Sequence, residues 1–169
     1  MAILIVDDSP DDRLLLQSIL SAAGYEQILV ADSAAHAFKL IGLDSGKQAT
    51  ARVDLILMDI LMPAMSGIEA CRQIKANDRF RDTPIIMVTV KTDPVELQLA
   101  FAAGAMDYVA KPVARDDLRL RASAALGRAR QAGEIKQLRE RLDKRYGFEA
   151  IVGVSAAMER VFEVLRKVA

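Results

Sequence analysis

Three aspartates follow two strongly apolar segments of the sequence, and their carboxylates could contribute to one functional site. Asp7 and Asp8 follow the run Ala2–Val6, and Asp59 follows the run Leu55–Met58. Carboxylates that lie close together repel one another, and each holds its proton more tightly unless a cation neutralises them. Oxygen-only ligands suit a hard cation, and a partly hydrated site suits Mg²⁺. The three aspartates therefore predict a magnesium site.

Two further side chains at strand ends would turn this metal site into a site for phosphoryl transfer. Thr89 ends the segment Pro84–Thr89, and Lys111 follows the segment Asp107–Ala110. A lysine supplies a positive charge that holds a phosphate oxygen, and a threonine supplies a neutral hydroxyl. A carboxylate beside a divalent cation and a lysine is well placed to attack a phosphoryl group and become an acyl phosphate. We predict an aspartyl-phosphate site.

Each of these residues also has an ordinary structural explanation. The sequence Asp7-Asp8-Ser9-Pro10 is typical of a helix start, because Asp and Ser cap helices and Pro favours the first turn. Asp59 could simply end a strand, while Thr89 and Lys111 are common in strands and on surfaces. Their coincidence at successive strand ends favours the site over separate explanations.

The elements that would position these side chains alternate in type along the first part of the chain. Short apolar runs are followed by segments with helical spacing, which predicts a parallel sheet with helices on both faces, a doubly wound α/β fold. The predicted strands are Ala2–Val6, Ile28–Ala31, Leu55–Met58, Pro84–Thr89 and Asp107–Ala110, and the predicted helices are Pro10–Ala23, Ala34–Leu43, Gly67–Ala76 and Pro94–Ala103. Functional groups of such sheets gather beyond the carboxyl ends of the strands, which adds Asp32 to this edge. Residues 43–52 are predicted to form a surface loop.

Three stretches of the sequence resemble motifs of the receiver domain of two-component response regulators. They are Ile5–Ser9, Met58–Gly67 and Gly104–Pro112, and the resemblance covers residues 1 to about 122. It implies a flavodoxin-like five-stranded sheet of order 2-1-3-4-5, a cis peptide bond before Pro112, and phosphorylation of Asp59 by a sensor histidine kinase. The groups that it assigns to Mg²⁺ are Asp7, Asp8, Asp59 and the backbone carbonyl of Leu61. It assigns Lys111 to the phosphate.

The same resemblance implies a conformational switch. Thr89 corresponds to the hydroxyl that bonds the phosphoryl group, and Tyr108 to the aromatic side chain that rotates inward with it. We expect the face around Pro94–Ala103 and Tyr108 to serve as an output or dimer surface. The sequence departs from the family at Val90, where a small residue is usual, and the branched side chain could slow phosphorylation and dephosphorylation.

Charge divides the chain into two regions, although its 23 basic and 23 acidic residues sum to zero. Residues 1–112 hold 10 basic and 15 acidic residues, and residues 113–169 hold 13 and 8. The second region begins with helical spacing over Arg115–Arg130, and an apolar seam continues this helix to Gly147. A long helix with an apolar stripe and charged flanks favours a coiled-coil homodimer. The alternative is a monomeric helix that folds back on the domain.

The last residues resemble the opening of the ATPase domain of sigma-54-dependent, NtrC-like transcription activators. The resemblance rests on Phe148, the turn Ile151–Ser155 and an amphipathic segment over Ala156–Val168. No phosphate-binding loop of the form GxxxxGK[ST] is present, so no ATPase activity is predicted. The predicted organisation is a receiver domain at 1–122, a helical linker at 123–147 and the start of an incomplete ATPase domain at 148–169.

Composition excludes several other functions. The longest apolar runs of this 169-residue chain are far shorter than the roughly 20 residues that cross a bilayer, and no secretory signal is present, so we expect a cytoplasmic protein. One cysteine and one histidine exclude an internal disulfide framework and a histidine-rich metal site. We assign no role to Cys71 or His36.

Three rival functions remain to be weighed. A flavodoxin-like FMN-binding electron carrier would need a loop after strand one that cradles phosphate, whereas this loop is rich in aspartates, including Asp11 and Asp12. An aspartyl-phosphate hydrolase would need a general acid at position 61, where this chain has leucine. Direct binding of nucleic acid is not expected, because the basic region lacks aromatic interleaving and a recognisable helix-turn-helix.

Overall fold

The computed structural model describes residues 1–43, 53–90 and 93–146, with side chains described as far as residue 142. Within these residues, strands and helices alternate along the chain as the sequence predicts. The strands are β1 (Ala2–Val6), β2 (Gln27–Ala31), β3 (Leu55–Asp59), β4 (Ile85–Thr89) and β5 (Asp107–Ala110). The helices are α1 (Pro10–Ala22), α2 (Ala34–Ile41), α3 (Gly67–Ala76), α4 (Pro94–Ala102) and α5 (Arg115–Tyr146). The predicted loop at 43–52, apart from its first residue, and the predicted amphipathic helix at 156–168 lie outside the described residues.

The five strands form one parallel sheet in the order β2-β1-β3-β4-β5. In its register Val6 lies opposite Ala31 and Met58, and Asp59 lies opposite Val88. This arrangement confirms the predicted doubly wound fold and its strand order. It also brings the carboxyl ends of the central strands to one edge of the sheet.

The central strands are buried along their whole length, which explains their continuous apolar sequences. Alternate residues of each strand face two separate cores, since successive side chains point to opposite faces of a sheet. Leu4 and Ile56 lie in one core, and Ile3 and Leu57 lie in the other. Burial on both faces fixes the strand register, because a shift of one residue would exchange the two faces.

Polar caps fix the points where three helices leave the sheet edge. The hydroxyl of Ser9 accepts from the backbone N–H of Asp12, that of Ser33 from His36, and that of Ser66 from Glu69. Each cap satisfies a backbone donor in the first helical turn and so sets where the following residues lie.

The observed boundaries differ from the predicted ones by one or two residues. Asp59 is the last residue of β3 and does not follow it, because its backbone still pairs with β4 opposite Val88. The helix predicted to reach Leu43 ends at Ile41, where Gly42 adopts a left-handed conformation with φ 68°. Fraying of terminal turns and such glycine caps are hard to place from sequence alone.

Helix α5 is continuous over 32 residues, as the apolar seam predicts. Its first turns bury Leu118, Ala122 and Leu126 in the core, whereas Ile135 and Leu138 are exposed. The chain divides into two units, residues 1–129 and 130–169. No helix in the described part of the chain is long and apolar enough to cross a membrane.

Candidate functional site

The candidate site lies where the carboxyl ends of β1, β3, β4 and β5 meet. Asp7 continues the ladder of β1 by donating its backbone N–H to the carbonyl of Ala31 over 3.1 Å. Lys111 extends β5 by donating its N–H to the carbonyl of Thr89 over 2.8 Å, and the bond from Lys111 to Pro112 is cis. These backbone contacts bring Asp7, Asp59, Thr89 and Lys111 to one edge, as the sequence predicts.

Three carboxylates cluster at this edge. One ligand oxygen from each of Asp7, Asp8 and Asp59 lies within 4.8 Å of the others. Asp7 and Asp59 are buried, whereas Asp8 is exposed. Burial raises the pKa of Asp59, and the nearby charge of Asp7 raises it further, although Lys111 opposes both effects. The cluster has the oxygen-only composition and the excess negative charge that suit a hard divalent cation.

Lys111 carries the positive charge of the site. Its Nζ donates to Asp7 Oδ2 and Asp12 Oδ2 over 2.8 Å each, and to Asp59 Oδ2 over 3.2 Å. Burial disfavours the ammonium, but the hydrogen bonds to Asp12 and Asp7 and the charges of Asp59 and Asp7 outweigh it. The pKa of Lys111 is therefore raised, and the side chain is a fixed cation at neutral pH.

The loop that follows β3 packs closely against Asp59. The backbone N–H of Leu61 donates to Asp59 Oδ1 over 3.3 Å, and that of Gly67 donates to the carbonyl of Ile60 over 2.9 Å. A Cβ at Gly67 would lie 1.9 Å from the carbonyl oxygen of Asp59, so only glycine fits there. The assignment of the Leu61 carbonyl to a metal remains a prediction.

The residues predicted to switch lie at the ends of β4 and in β5. Thr89 is fully buried, and Val90 beyond it is 61% exposed. The ring of Tyr108 meets Phe101 edge-on at a centroid distance of 6.4 Å, and the Arg121 guanidinium lies 5.7 Å from its centre. Tyr108 thus connects β5 with α4 and α5 on the predicted output face.

One acidic residue differs from its predicted placement, and another joins the site without having been predicted there. Asp32 follows β2 but stays outside the carboxylate cluster; it is exposed, accepts from Ser33 Oγ over 2.9 Å and lies 3.2 Å from His36 Nδ1. These contacts lower the pKa of Asp32, the Ser33 hydrogen bond most strongly. Asp12, by contrast, accepts a hydrogen bond from Lys111 and belongs to the site, although it was not predicted as a site residue. Its one sequence signal is its position in the first turn after the Ser9 cap, close behind Asp7 and Asp8.

Comparisons with known proteins agree with one another. The family model described as a response regulator receiver domain matches residues 3–123. The transcriptional regulatory protein ResD of Bacillus subtilis is 39% identical over 129 residues, which cover 76% of this chain and 49% of that protein. The cyclic di-GMP phosphodiesterase response regulator RpfG of Xanthomonas campestris is 32% identical over 167 residues, or 99% of this chain and 42% of that protein. The chain thus spans about half or less of the length of these relatives.

A solved structure supplies a comparison for the site as well as the fold. The receiver domain of the sensor histidine kinase PA1611 of Pseudomonas aeruginosa has a TM-score of 0.65 and 28% identity, covering 75% of this chain and 97% of that chain. That structure has a magnesium ion coordinated in its active site cleft.

Proposed function

Because this chain belongs to the response regulator receiver domain family of two-component signalling, we propose that Asp59 is its phosphoacceptor. The family's members receive a phosphoryl group from sensor histidine kinases, and such a kinase is the proposed partner here. One observation carries the proposal: the buried Asp59 carboxylate lies beside Asp7 and Asp8 and 3.2 Å from the Lys111 ammonium. A nucleophilic carboxylate and a fixed cation are the two parts that acyl phosphate formation needs from the protein.

The proposed reaction is a transfer to the protein itself. A carboxylate oxygen of Asp59 forms a bond to phosphorus while the bond from phosphorus to the donor breaks, and the leaving group takes the electron pair. Lys111 offsets the negative charge of the phosphoryl oxygens during this step. The chain is thus proposed to assist its own phosphorylation and dephosphorylation, without an ATPase or other turnover activity.

Magnesium is the proposed cofactor. The residues that would hold it are Asp7, Asp8 and Asp59, with the carbonyl of Leu61. Three carboxylates within 4.8 Å of one another support this assignment, as does the magnesium in the related PA1611 structure. When bound, the ion would offset carboxylate repulsion and polarise phosphoryl oxygens.

Thr89 and Tyr108 are the proposed transmitting residues. Phosphorylation adds negative charge at Asp59, and the Thr89 hydroxyl at the end of the neighbouring β4 is proposed to move toward it. Tyr108 contacts Phe101 of α4 and lies beside Arg121 of α5, so its displacement would change the shape of that face. We propose this face, together with the exposed stripe of α5 formed by Ile135, Leu138 and Leu142, as surfaces for output and homodimerisation.

The proposed output is control of transcription, in a cytoplasmic protein. The relative ResD is a transcriptional regulatory protein, and the resemblance of residues 148–169 to a sigma-54-dependent activator points the same way, although those residues lie outside the described part of the chain. The similarity to RpfG over 167 residues favours a second candidate, regulation of a cyclic di-GMP phosphodiesterase. An FMN-binding electron carrier is disfavoured, because carboxylates surround the loop after β1 and repel phosphate. A colourless purified protein would support that exclusion.

The proposed function is tested by incubating the chain with acetyl phosphate and Mg²⁺ and measuring its intact mass. We expect the addition of a single phosphoryl group, its loss when magnesium is chelated, and no addition to Asp59→Asn. Asp11→Asn, which removes an exposed carboxylate of α1, serves as the control and should still be phosphorylated. An unchanged mass of the parent chain with acetyl phosphate and phosphoramidate would contradict the proposal.

A further inference from the structure

The Lys111 ammonium has a third carboxylate partner, Asp12, besides Asp7 and Asp59. Asp12 comes from α1, whereas Asp7 and Asp59 belong to the sheet edge. An ammonium group has three N–H donors, and these three carboxylates take all of them. A phosphoryl oxygen on Asp59 therefore has to displace or share one of these hydrogen bonds before Lys111 can bind it.

Charge and exposure decide which of the three hydrogen bonds of Lys111 costs least to break. The side chains of Asp7 and Asp59 are 1% and 7% exposed, whereas that of Asp12 is 37% exposed. Asp59 gives up its carboxylate charge when its oxygen bonds to phosphorus, whereas the buried Asp7 would keep an uncompensated charge if it lost Lys111, and this is costly. Water can solvate Asp12 as soon as Lys111 leaves it, so of the two carboxylates that stay charged, Asp12 gives up its hydrogen bond at the lower cost.

The start of α1 holds Asp12 at a fixed position beside the lysine. The backbone N–H of Ser9 donates to Asp7 Oδ1 over 2.9 Å, and the Ser9 hydroxyl accepts from the N–H of Asp12 over 3.3 Å. Arg13 Nη1 also donates to the backbone carbonyl of Asp7 over 2.6 Å. These contacts tie the first helical turn to the same strand end that supplies Asp7.

We propose that Asp12 is a positioning residue, which holds Lys111 in the unphosphorylated site and competes with the phosphoryl group for it. This inference rests on the proposed phosphorylation of Asp59. When the new bond from Asp59 to phosphorus forms and the donor's leaving group departs with its electron pair, Lys111 exchanges Asp12 for a phosphoryl oxygen. Asp12 thereby favours the unphosphorylated state, slowing phosphorylation and shortening the lifetime of the acyl phosphate.

The first test compares Asp12→Asn with Asp12→Glu and Asp11→Asn. Asp12→Asn keeps the shape but removes the charge, so we expect phosphorylation about two- to fivefold faster and an acyl phosphate lifetime longer by a similar factor, as expected for one partly exposed ion pair. Asp12→Glu restores a carboxylate within reach of Lys111 and should return both values toward those of the parent chain. Asp11→Asn removes an exposed charge from the same turn and should leave both unchanged at physiological ionic strength.

The second test needs neither metal nor phosphodonor. The free energies of unfolding of the parent chain, Asp12→Asn, Lys111→Met and the double variant form a cycle in the presence of a chelator. We expect a favourable coupling equal to about a two- to fivefold change in the unfolding equilibrium constant. A cycle with Asp11→Asn in place of Asp12→Asn should show no coupling.

The outcomes separate this inference from the function on which it rests. A parent chain that gains no phosphoryl group overturns the proposed function, and the competition by Asp12 falls with it. A parent chain that is phosphorylated at the same rate as Asp12→Asn overturns the inference alone. Zero coupling between Asp12 and Lys111 also overturns it, whereas faster phosphorylation reversed by Asp12→Glu supports it.

Discussion

Asp8 is the exposed member of the carboxylate cluster. We expect its charge to destabilise the folded protein when no cation is bound and to strengthen the binding of a cation. Its ligand oxygen lies within 4.8 Å of those of Asp7 and Asp59, so without metal it adds repulsion to the folded state. We expect Asp8→Asn to raise the free energy of unfolding in a chelator. We expect the same change to weaken Mg²⁺ binding by about tenfold or more, since even outer partners of metal sites contribute that much.

The measurement is thermal unfolding with a chelator and across a Mg²⁺ series, supported by calorimetric titration, because the chain has no tryptophan to report binding. The parent chain should be stabilised by Mg²⁺, and Asp8→Asn should lose most of that stabilisation. Asp11→Asn removes an equal charge from the nearby helix and should respond to Mg²⁺ like the parent chain. Equal Mg²⁺ stabilisation of Asp8→Asn and the parent chain would exclude Asp8 as a ligand.

Site residues at the ends of strands can be predicted from the sequence, whereas a site residue on a helix cannot. Asp7, Asp59 and Lys111 are recognisable because each ends or follows a short apolar strand. Asp12 is not, because its contact with Lys111 depends on how α1 lies over the sheet edge. Asp32 follows a strand too, but the Ser33 hydroxyl at the start of α2 donates to its carboxylate instead.

The loop between β3 and α3 contains a strained residue, Ala64. Its φ of 66° lies in the left-handed region, and Met65 donates its N–H to the carbonyl of Pro63 over 2.8 Å across it, as in a γ-turn. This conformation costs an alanine about 1–2 kcal/mol, whereas the greater freedom of glycine in the unfolded chain costs about 0.4–1 kcal/mol. The first effect is the larger, so Ala64→Gly should stabilise the protein by about 0.5–1 kcal/mol.

Chemical denaturation of both proteins in a chelator measures this difference. The control is Ala124→Gly on an exposed position inside α5, where the same substitution should destabilise by about 1 kcal/mol. If Ala64→Gly raises the free energy of unfolding and Ala124→Gly lowers it, the gain in stability comes from the backbone conformation of Ala64. A loss of stability in Ala64→Gly would show that the loop is not strained there.

Element types were easier to predict than element ends. Buried central strands have continuous apolar sequences, and glycines and caps separate the helices from them, so alternation predicts the element types. The strand order came from the family resemblance. The close approach of Gly67 to the Asp59 carbonyl was not predictable, because it is a contact between a helix start and a strand end. The same tertiary pairing extended β3 by one residue, to Asp59.

Over the whole molecule, zero net charge conceals an acidic region and a basic one. The acidic region contains the carboxylate site. Lys111 offsets the repulsion between the carboxylates of this site. The basic region includes all of α5, whose first turns bury Leu118 and Leu126 in the core. Farther along the same helix, Ile135, Leu138 and Leu142 are 52–57% exposed in a stripe with three- and four-residue spacing. Such spacing is typical of a two-stranded coiled coil.

The exposed stripe predicts that the chain forms a homodimer through α5, and that Leu138→Lys breaks it. A lysine at the centre of the stripe would replace an apolar contact in both copies and bring two like charges together, so we expect dimer affinity to fall on the order of 100-fold. Gln137→Lys adds the same charge beside the stripe and should leave the dimer intact. Sedimentation velocity over a concentration series measures both. A parent chain that stays monomeric at high concentration, or a Leu138→Lys dimer as tight as the parent's, would contradict the prediction and favour an α5 that functions in a monomer.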